Sequence, residues 1–173
     1  IRNQRVDGRR FSGTRSSGKD HKAVAGGSPD GETRLALTEL AIAGEPGMSV
    51  SRIELDRPGP SYTVDTLRAL RESYGQDELF LLMGTDMLLS FEKWHAPREI
   101  ASMATLAVAH RSDDRAEELR TCAERLQAEL GARVVLVENK FVPYSSTSVR
   151  AMLAFGCAED YVSPEVLESI RSE

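Results

Sequence analysis

The chain has 173 residues, of which 40% are hydrophobic and 28% charged, and a formal net charge of -5. That suffices for one stable core. The acidic balance argues against a nucleic-acid or membrane surface as partner, while a few local cations still allow a small anionic ligand. No apolar run approaches membrane-spanning length, and no basic-then-apolar leader pattern is found. The two cysteines, Cys122 and Cys157, make no close motif, so free thiols in a cytoplasmic setting are expected, with a single disulfide as the other reading.

In chain order, residues 1–31 are polar and aperiodic and predict a loop or irregular tail. Residues 1–19 are read as an irregular N-terminal segment and 20–173 as a single domain. Leu35, Leu37, Leu40, Ala41 and Ile42 suit a helix ending near Gly44. Residues 50–55 alternate apolar and polar, as a half-exposed strand does, and 57–60 form a breaker. Val64, Leu67 and Leu70 mark a helix over 63–74 closed by Gly75. A buried parallel strand over 79–83 follows. A helical region over 87–103 is interrupted around 94–97. Then come a strand over 105–109, an amphipathic helix over 115–130 ending at Gly131, a strand over 133–137, and helices over 146–155 and 164–172. This alternation predicts an α/β fold with a doubly wound parallel sheet.

The most informative stretch is Leu-Phe-Leu-Leu-Met-Gly-Thr-Asp at 79–86, followed by Lys93-Trp94-His95. Ligands of open α/β sheets bind beyond the carboxyl ends of the strands. There Gly84 permits close backbone approach, Asp86 can accept from sugar hydroxyls, and Trp94 offers a stacking face. The same residues also fit a strand end, a helix cap and a core tryptophan. Ser145, Ser146, Thr147 and Ser148 open a helix, with Arg150 one turn on. That pattern suits either a phosphate site or a Ser/Thr cap beside a solvated arginine. Ser61-Tyr62-Thr63 opens the 63–74 helix, whose free N–H groups could hold a carboxylate. Arg111 would stand at the same sheet edge as Asp86, and His110 is read as structural. Lys19-Asp20-His21-Lys22 is either solvated charge or a weak triphosphate contact. No Cys/His cluster has metal-ligand spacing.

Taken in order, these blocks resemble the bacterial nicotinic acid mononucleotide adenylyltransferases. The likeness rests on Gly59-Pro-Ser-Tyr-Thr-Val-Asp-Thr-Leu67, the 79–86 block, Lys93-Trp94-His95, the strand before Arg111, Ser145-Ser-Thr-Ser-Val-Arg150, and the Val-Ser-Pro-Glu-Val near the C-terminus. It implies a Rossmann-like nucleotidyltransferase fold, a parallel sheet with helices on both faces. The implied reaction joins ATP and nicotinate mononucleotide into the dinucleotide, with pyrophosphate released. Residue by residue, it implies that Trp94 stacks on the pyridine ring beside Tyr62. Thr63 and His95 would offer N–H groups to the nicotinate carboxylate, and Arg111, by its place at the strand end, is a candidate charge for a phosphate or for the ligand rim. Gly84 and Asp86 would line the nucleotide sugar site, and Ser145, Ser146, Thr147 and Arg150 would hold ATP phosphates. His21 and Lys22 match the family's Pro-Pro-His-Lys segment, with Lys19 and Asp20 in place of the prolines. Magnesium (Mg2+) would travel with the phosphates rather than in a carboxylate cage. The implied partners are ATP and nicotinate mononucleotide, with room for a homo-oligomer.

The family also opens with a strand, a Gly-rich turn and a His-x-Gly-His motif that cradles phosphates. The three histidines here are His21, His95 and His110, and none stands in such a motif. Residues 1–19 do not resemble the missing segment. The first strand–helix unit is therefore expected to be lacking, and the activity of this chain to be weak or nil. The other readings are a related adenylyltransferase acting on nicotinamide mononucleotide or phosphopantetheine, and a non-catalytic nucleotide-binding protein.

Overall fold

The computed structural model describes residues 11–12, 30–110, 115–138 and 146–172. The chain divides into two compact units, one of residues 60–143 and one of 1–59 with 144–173.

The unit of residues 60–143 is built on three parallel strands, β1 (Leu79–Gly84), β2 (Ala104–His110) and β3 (Val134–Glu138), in that spatial order. Leu79 pairs with Ala104 through to Gly84 with Ala109, and Leu106 pairs with Val134 through to His110 with Glu138. Side chains alternate between faces of a strand. Met83, Leu106 and Val108 therefore point together into the core, where each is at most 3% exposed. Against them pack α1 (Thr63–Tyr74), α2 (Thr85–Leu89), α3 (Pro97–Met103) and α4 (Ala116–Leu130). Their contributions are Val64 and Leu67, Leu88, Ile100 and Ala101, and Leu119, Cys122 and Leu126. Crossovers of one hand that step across a sheet in one direction leave their helices on one face. On the opposite face of this unit Phe80, Leu82, Val135 and Val137 are 40–61% exposed.

Two glycines end helices in this unit. Gly75 (φ 55°) returns its N–H to Arg71 O, and Gly131 (φ 70°) closes α4 in the left-handed region that L side chains avoid. The Arg71 guanidinium donates to the carbonyls of Gly75, Asp77 and Met103 at 2.9, 2.6 and 2.6 Å. It thereby ties the end of α1 to the amino-terminal edge of the sheet.

In the other unit, α5 (Gly31–Ala41) is capped by Asp30, which accepts from Thr33 N–H at 2.8 Å. Arg52 grips Glu32 through a two-pronged contact at 2.8 and 2.7 Å. Helices α6 (Ser146–Phe155) and α7 (Pro164–Ser172) follow the predicted boundaries, and α5 packs on α7. Two details differ from the sequence expectation. Residues 50–55 form no strand: Leu55 and Asp56 N–H both bond back to Arg52 O, at 2.8 and 3.0 Å, and Ile53 N–H goes to Ser51 Oγ. Local turn bonding wins there because alternation supplies a face but no ladder partner. The pairing that does form lies just before it, between the short parallel strands β4 (Phe11–Ser12) and β5 (Met48–Ser49). Phe11–Ser12 lies inside the segment expected to be irregular.

Candidate functional site

Of the residues singled out in the sequence, Gly84 ends β1 and Asp86 follows it, at the carboxyl edge of the β1–β2–β3 sheet. β1 ends at Gly84, where no described heavy atom beyond its two chain neighbours lies within 4 Å of the place a Cβ would take. The chain turns at once into α2, which puts Asp86 in the first turn with its side chain 91% exposed. The Asp86 carboxylate accepts from Arg115 Nη1 at 2.8 Å. Arg115 precedes α4, and its Nε and Nη2 reach Glu118 at 2.8 and 3.2 Å. Glu118 first and Asp86 second hold the Arg115 guanidinium charged, and Arg115 in turn lowers the Glu118 carboxyl below its usual range.

A single turn of 3-10 helix, Phe91–Lys93, carries the chain to Trp94. Phe91 is fully buried, and its ring lies 5.4 Å from that of Trp94 at 51°. The indole is thus backed by the core on one side and only partly buried. Ala96 adopts φ 53°, ψ 53°, a left-handed conformation costing an L residue about 1–2 kcal/mol. That turn lets Pro97 start α3, and the Ala96 carbonyl accepts from Glu99 and Ile100 N–H at 3.1 Å each. His95, just before it, meets the Tyr62 ring with centroids 4.4 Å apart and planes at 34°. Tyr62 is the residue before α1. The N–H groups of Thr63 and Val64 open that helix and have no carbonyl within it to bond.

Arg68 holds this arrangement in register. Its Nε and Nη2 grip both oxygens of Glu99 at 2.7 Å each, and Nη1 reaches Asp65 at 2.7 Å, which links α1 to α3. The Arg68 hydrogen bonds are the main cause that holds the Glu99 carboxyl below the usual carboxylate range, with His95 adding a minor push. A depressed carboxylate binds its proton less well folded than unfolded. Its contribution is therefore present above the ordinary carboxylate pKa and lost as pH falls through the lowered value. Carboxyl NMR titration is expected to give Glu99 a midpoint below that of an unstructured glutamate, and Arg68→Ala is expected to return it to the ordinary range. An unshifted Glu99 in the unsubstituted chain would contradict the clamp.

The structure therefore brings together Tyr62 with His95, Trp94 with Phe91, and Asp86 with Arg115. Thr147 and Arg150 lie in the other unit, both exposed and three residues apart on one face of α6. His21, Lys22, Arg111 and Ser145 lie outside the described residues, as does the Ser146 side chain. His110 stands at the end of β2 with Nδ1 buried and no partner. Sequence reading missed Arg115. Its spacing to Glu118 could have suggested a local pair, but nothing local pointed to Asp86, 29 residues earlier. Among the described residues no group of three or more His, Cys, Asp or Glu could hold a metal ion, and no helix is long and apolar enough to cross a membrane.

The profile described as cytidylyltransferase-like matches residues 13–152. A protein of Methylococcus capsulatus named probable nicotinate-nucleotide adenylyltransferase is 36% identical over 157 residues, covering 83% of this chain and 75% of that protein. A protein of the same name from Thermomicrobium roseum is 38% identical over 135 residues, covering 78% of this chain and 62% of its own length. The chain thus spans less than two thirds of one of these relatives and three quarters of the other. The Plasmodium falciparum nicotinic acid mononucleotide adenylyltransferase complexed with NaAD superposes with a TM-score of 0.63 at 13% identity, over 89% of this chain and 76% of that one. At that identity the likeness shows the fold, a Rossmann-like parallel α/β architecture. On the family profile and the identity to these relatives, the chain belongs to the cytidylyltransferase-like family and, within it, to the nicotinate-nucleotide adenylyltransferases.

Proposed function

We propose that this chain serves adenylyl transfer in NAD biosynthesis: ATP and nicotinate mononucleotide give nicotinate adenine dinucleotide and pyrophosphate. A phosphate oxygen of the mononucleotide forms a bond to the α-phosphorus of ATP, and the bond to the β-phosphate bridging oxygen breaks, with the electron pair leaving on pyrophosphate. No group on the protein is covalently engaged, so catalysis consists of alignment and charge neutralisation. The observation that carries the reading is the Tyr62–His95 ring contact next to Trp94. It sets a partly open indole beside a helix start with free N–H groups, which suits an aromatic ring bearing a carboxylate.

Trp94 then receives the pyridine ring, and the N–H groups of Thr63 and His95 meet the nicotinate carboxylate. Asp86 and Gly84 border a ribose, and Thr147 and Arg150 of α6 supply phosphate contacts. Magnesium is assigned to the ATP phosphates, which supply hard oxygen ligands, and no step is routed through it. Free Cys122 and Cys157 suit a cytoplasmic setting.

Purified as these 173 residues, the chain is expected to release pyrophosphate weakly from ATP and nicotinate mononucleotide, because none of its histidines stands in a His-x-Gly-His motif. Near-normal turnover in a coupled pyrophosphate assay would refute this. Running the same assay with nicotinamide mononucleotide separates the acid from the amide reading. Calorimetric binding of the mononucleotide with no turnover at any chain concentration would favour a non-catalytic nucleotide-binding protein.

A further inference from the structure

We propose that Arg115 is a positioning residue that holds the Asp86 carboxylate ready for the vicinal hydroxyls of a ribose, an inference that rests on the reading of Asp86 as a sugar ligand. Asp86 stands almost wholly in water at the first turn of a five-residue helix. An aspartate there is free to rotate unless something grips it. Arg115 supplies the grip through a single nitrogen, Nη1, on a single oxygen, Oδ1. The second oxygen keeps its acceptor positions open for hydroxyl donors. The guanidinium is itself immobilised from the other side, because Glu118, one turn into α4, takes both Nε and Nη2. Glu118, Arg115 and Asp86 thus form one chain of charged hydrogen bonds between α4 and α2.

Two further observations point to a positioning role rather than a structural one. The two helices are already joined beneath this chain: Leu88 and Leu119 are fully buried in the same core cluster, and Cys122 Sγ contacts the Leu88 carbonyl at 3.8 Å. An exposed ion pair adds about 0–1 kcal/mol to stability, so the fold gains little from it. The charges also select the ligand chemistry. Two carboxylates against one guanidinium leave the group net negative, which repels a phosphate and favours a neutral hydrogen-bond donor such as a diol.

The test uses the 173-residue chain and calorimetric affinities for ATP, 2′-deoxyATP and 3′-deoxyATP, with melting temperature recorded for each variant. The unsubstituted chain is expected to prefer ATP by about ten-fold over the deoxy analogues, the scale of one hydrogen bond to a charged acceptor. Arg115→Met keeps the aliphatic stem and removes the grip. It is expected to shrink that preference to about two-fold or less without a marked change in melting temperature, because the carboxylate is no longer held in place. Arg115→Lys is expected to recover part of the preference. Asp86→Asn is expected to remove it. If Asp86→Asn removes the preference and Arg115→Met leaves it intact, the positioning role is overturned while the reading of Asp86 stands. If the unsubstituted chain shows no preference, or Asp86→Asn leaves it unchanged, the reading of Asp86 fails and the positioning role fails with it.

Discussion

Replacing Phe91 with alanine is expected to lower the free energy of unfolding by about 3–5 kcal/mol, the range for a fully buried aromatic whose cavity cannot collapse. Phe91 is the largest of the fully buried side chains among the described residues. It sits in the short turn that joins α2 to the Trp94 segment, within the cluster formed by all four helices of its unit and the sheet. Collapse of the site would require those helices to move together, so relaxation can recover little. Urea denaturation checks the value. The midpoint should fall while the dependence on urea stays unchanged, because the unfolded surface is nearly the same. A loss below about 1 kcal/mol would mean that the cluster repacks and that Phe91 is not its keystone. Binding should suffer as well, because the Phe91 ring is what backs the Trp94 indole at 5.4 Å.

Trp94→Ala carries the second large effect. Removal of the stacking face is expected to weaken nicotinate mononucleotide binding by on the order of 1 kcal/mol or more, about five-fold or more in affinity. Trp94→Phe should retain most of that affinity, since a smaller ring still presents a face. Trp94 is also partly buried against the core, so the alanine variant should melt lower, and the two effects must be measured separately. Calorimetric titration well below the melting temperature of the variant does so. A variant that melts early yet binds the mononucleotide as tightly as the parent would make Trp94 a core residue and nothing more.

The regular elements were largely readable in advance. Helix Thr63–Tyr74 is set by Val64, Leu67 and Leu70 on one stripe and by Gly75 at its end, and the structure has the predicted boundaries. The strands at 79–84, 104–110 and 134–138 are near-continuous apolar runs, a pattern that parallel pairing rewards. Residues 50–55 misled because alternation is a property of a strand with a neighbour, and the neighbour's existence is a tertiary fact. The two-residue pairing of Phe11–Ser12 with Met48–Ser49 was equally invisible, since two residues carry no period.

The candidate site divides in the same way. Gly84, Asp86 and Trp94 announced themselves through type and position: a glycine ending an apolar run, an acid just beyond it, and the chain's lone tryptophan shortly after. Their partners did not. Tyr62 meets His95 across 33 positions and Arg115 meets Asp86 across 29 because the helices they adjoin pack on one face of the sheet. Local sequence determined which segments coil or extend and which residue types stand at the strand ends, because those depend on neighbours within a few positions. Which side chains meet, and so which carboxylate is gripped and which ring is backed, was decided only by the tertiary structure. Those contacts depend on strand order and on the packing of distant elements, and no short-range period encodes either.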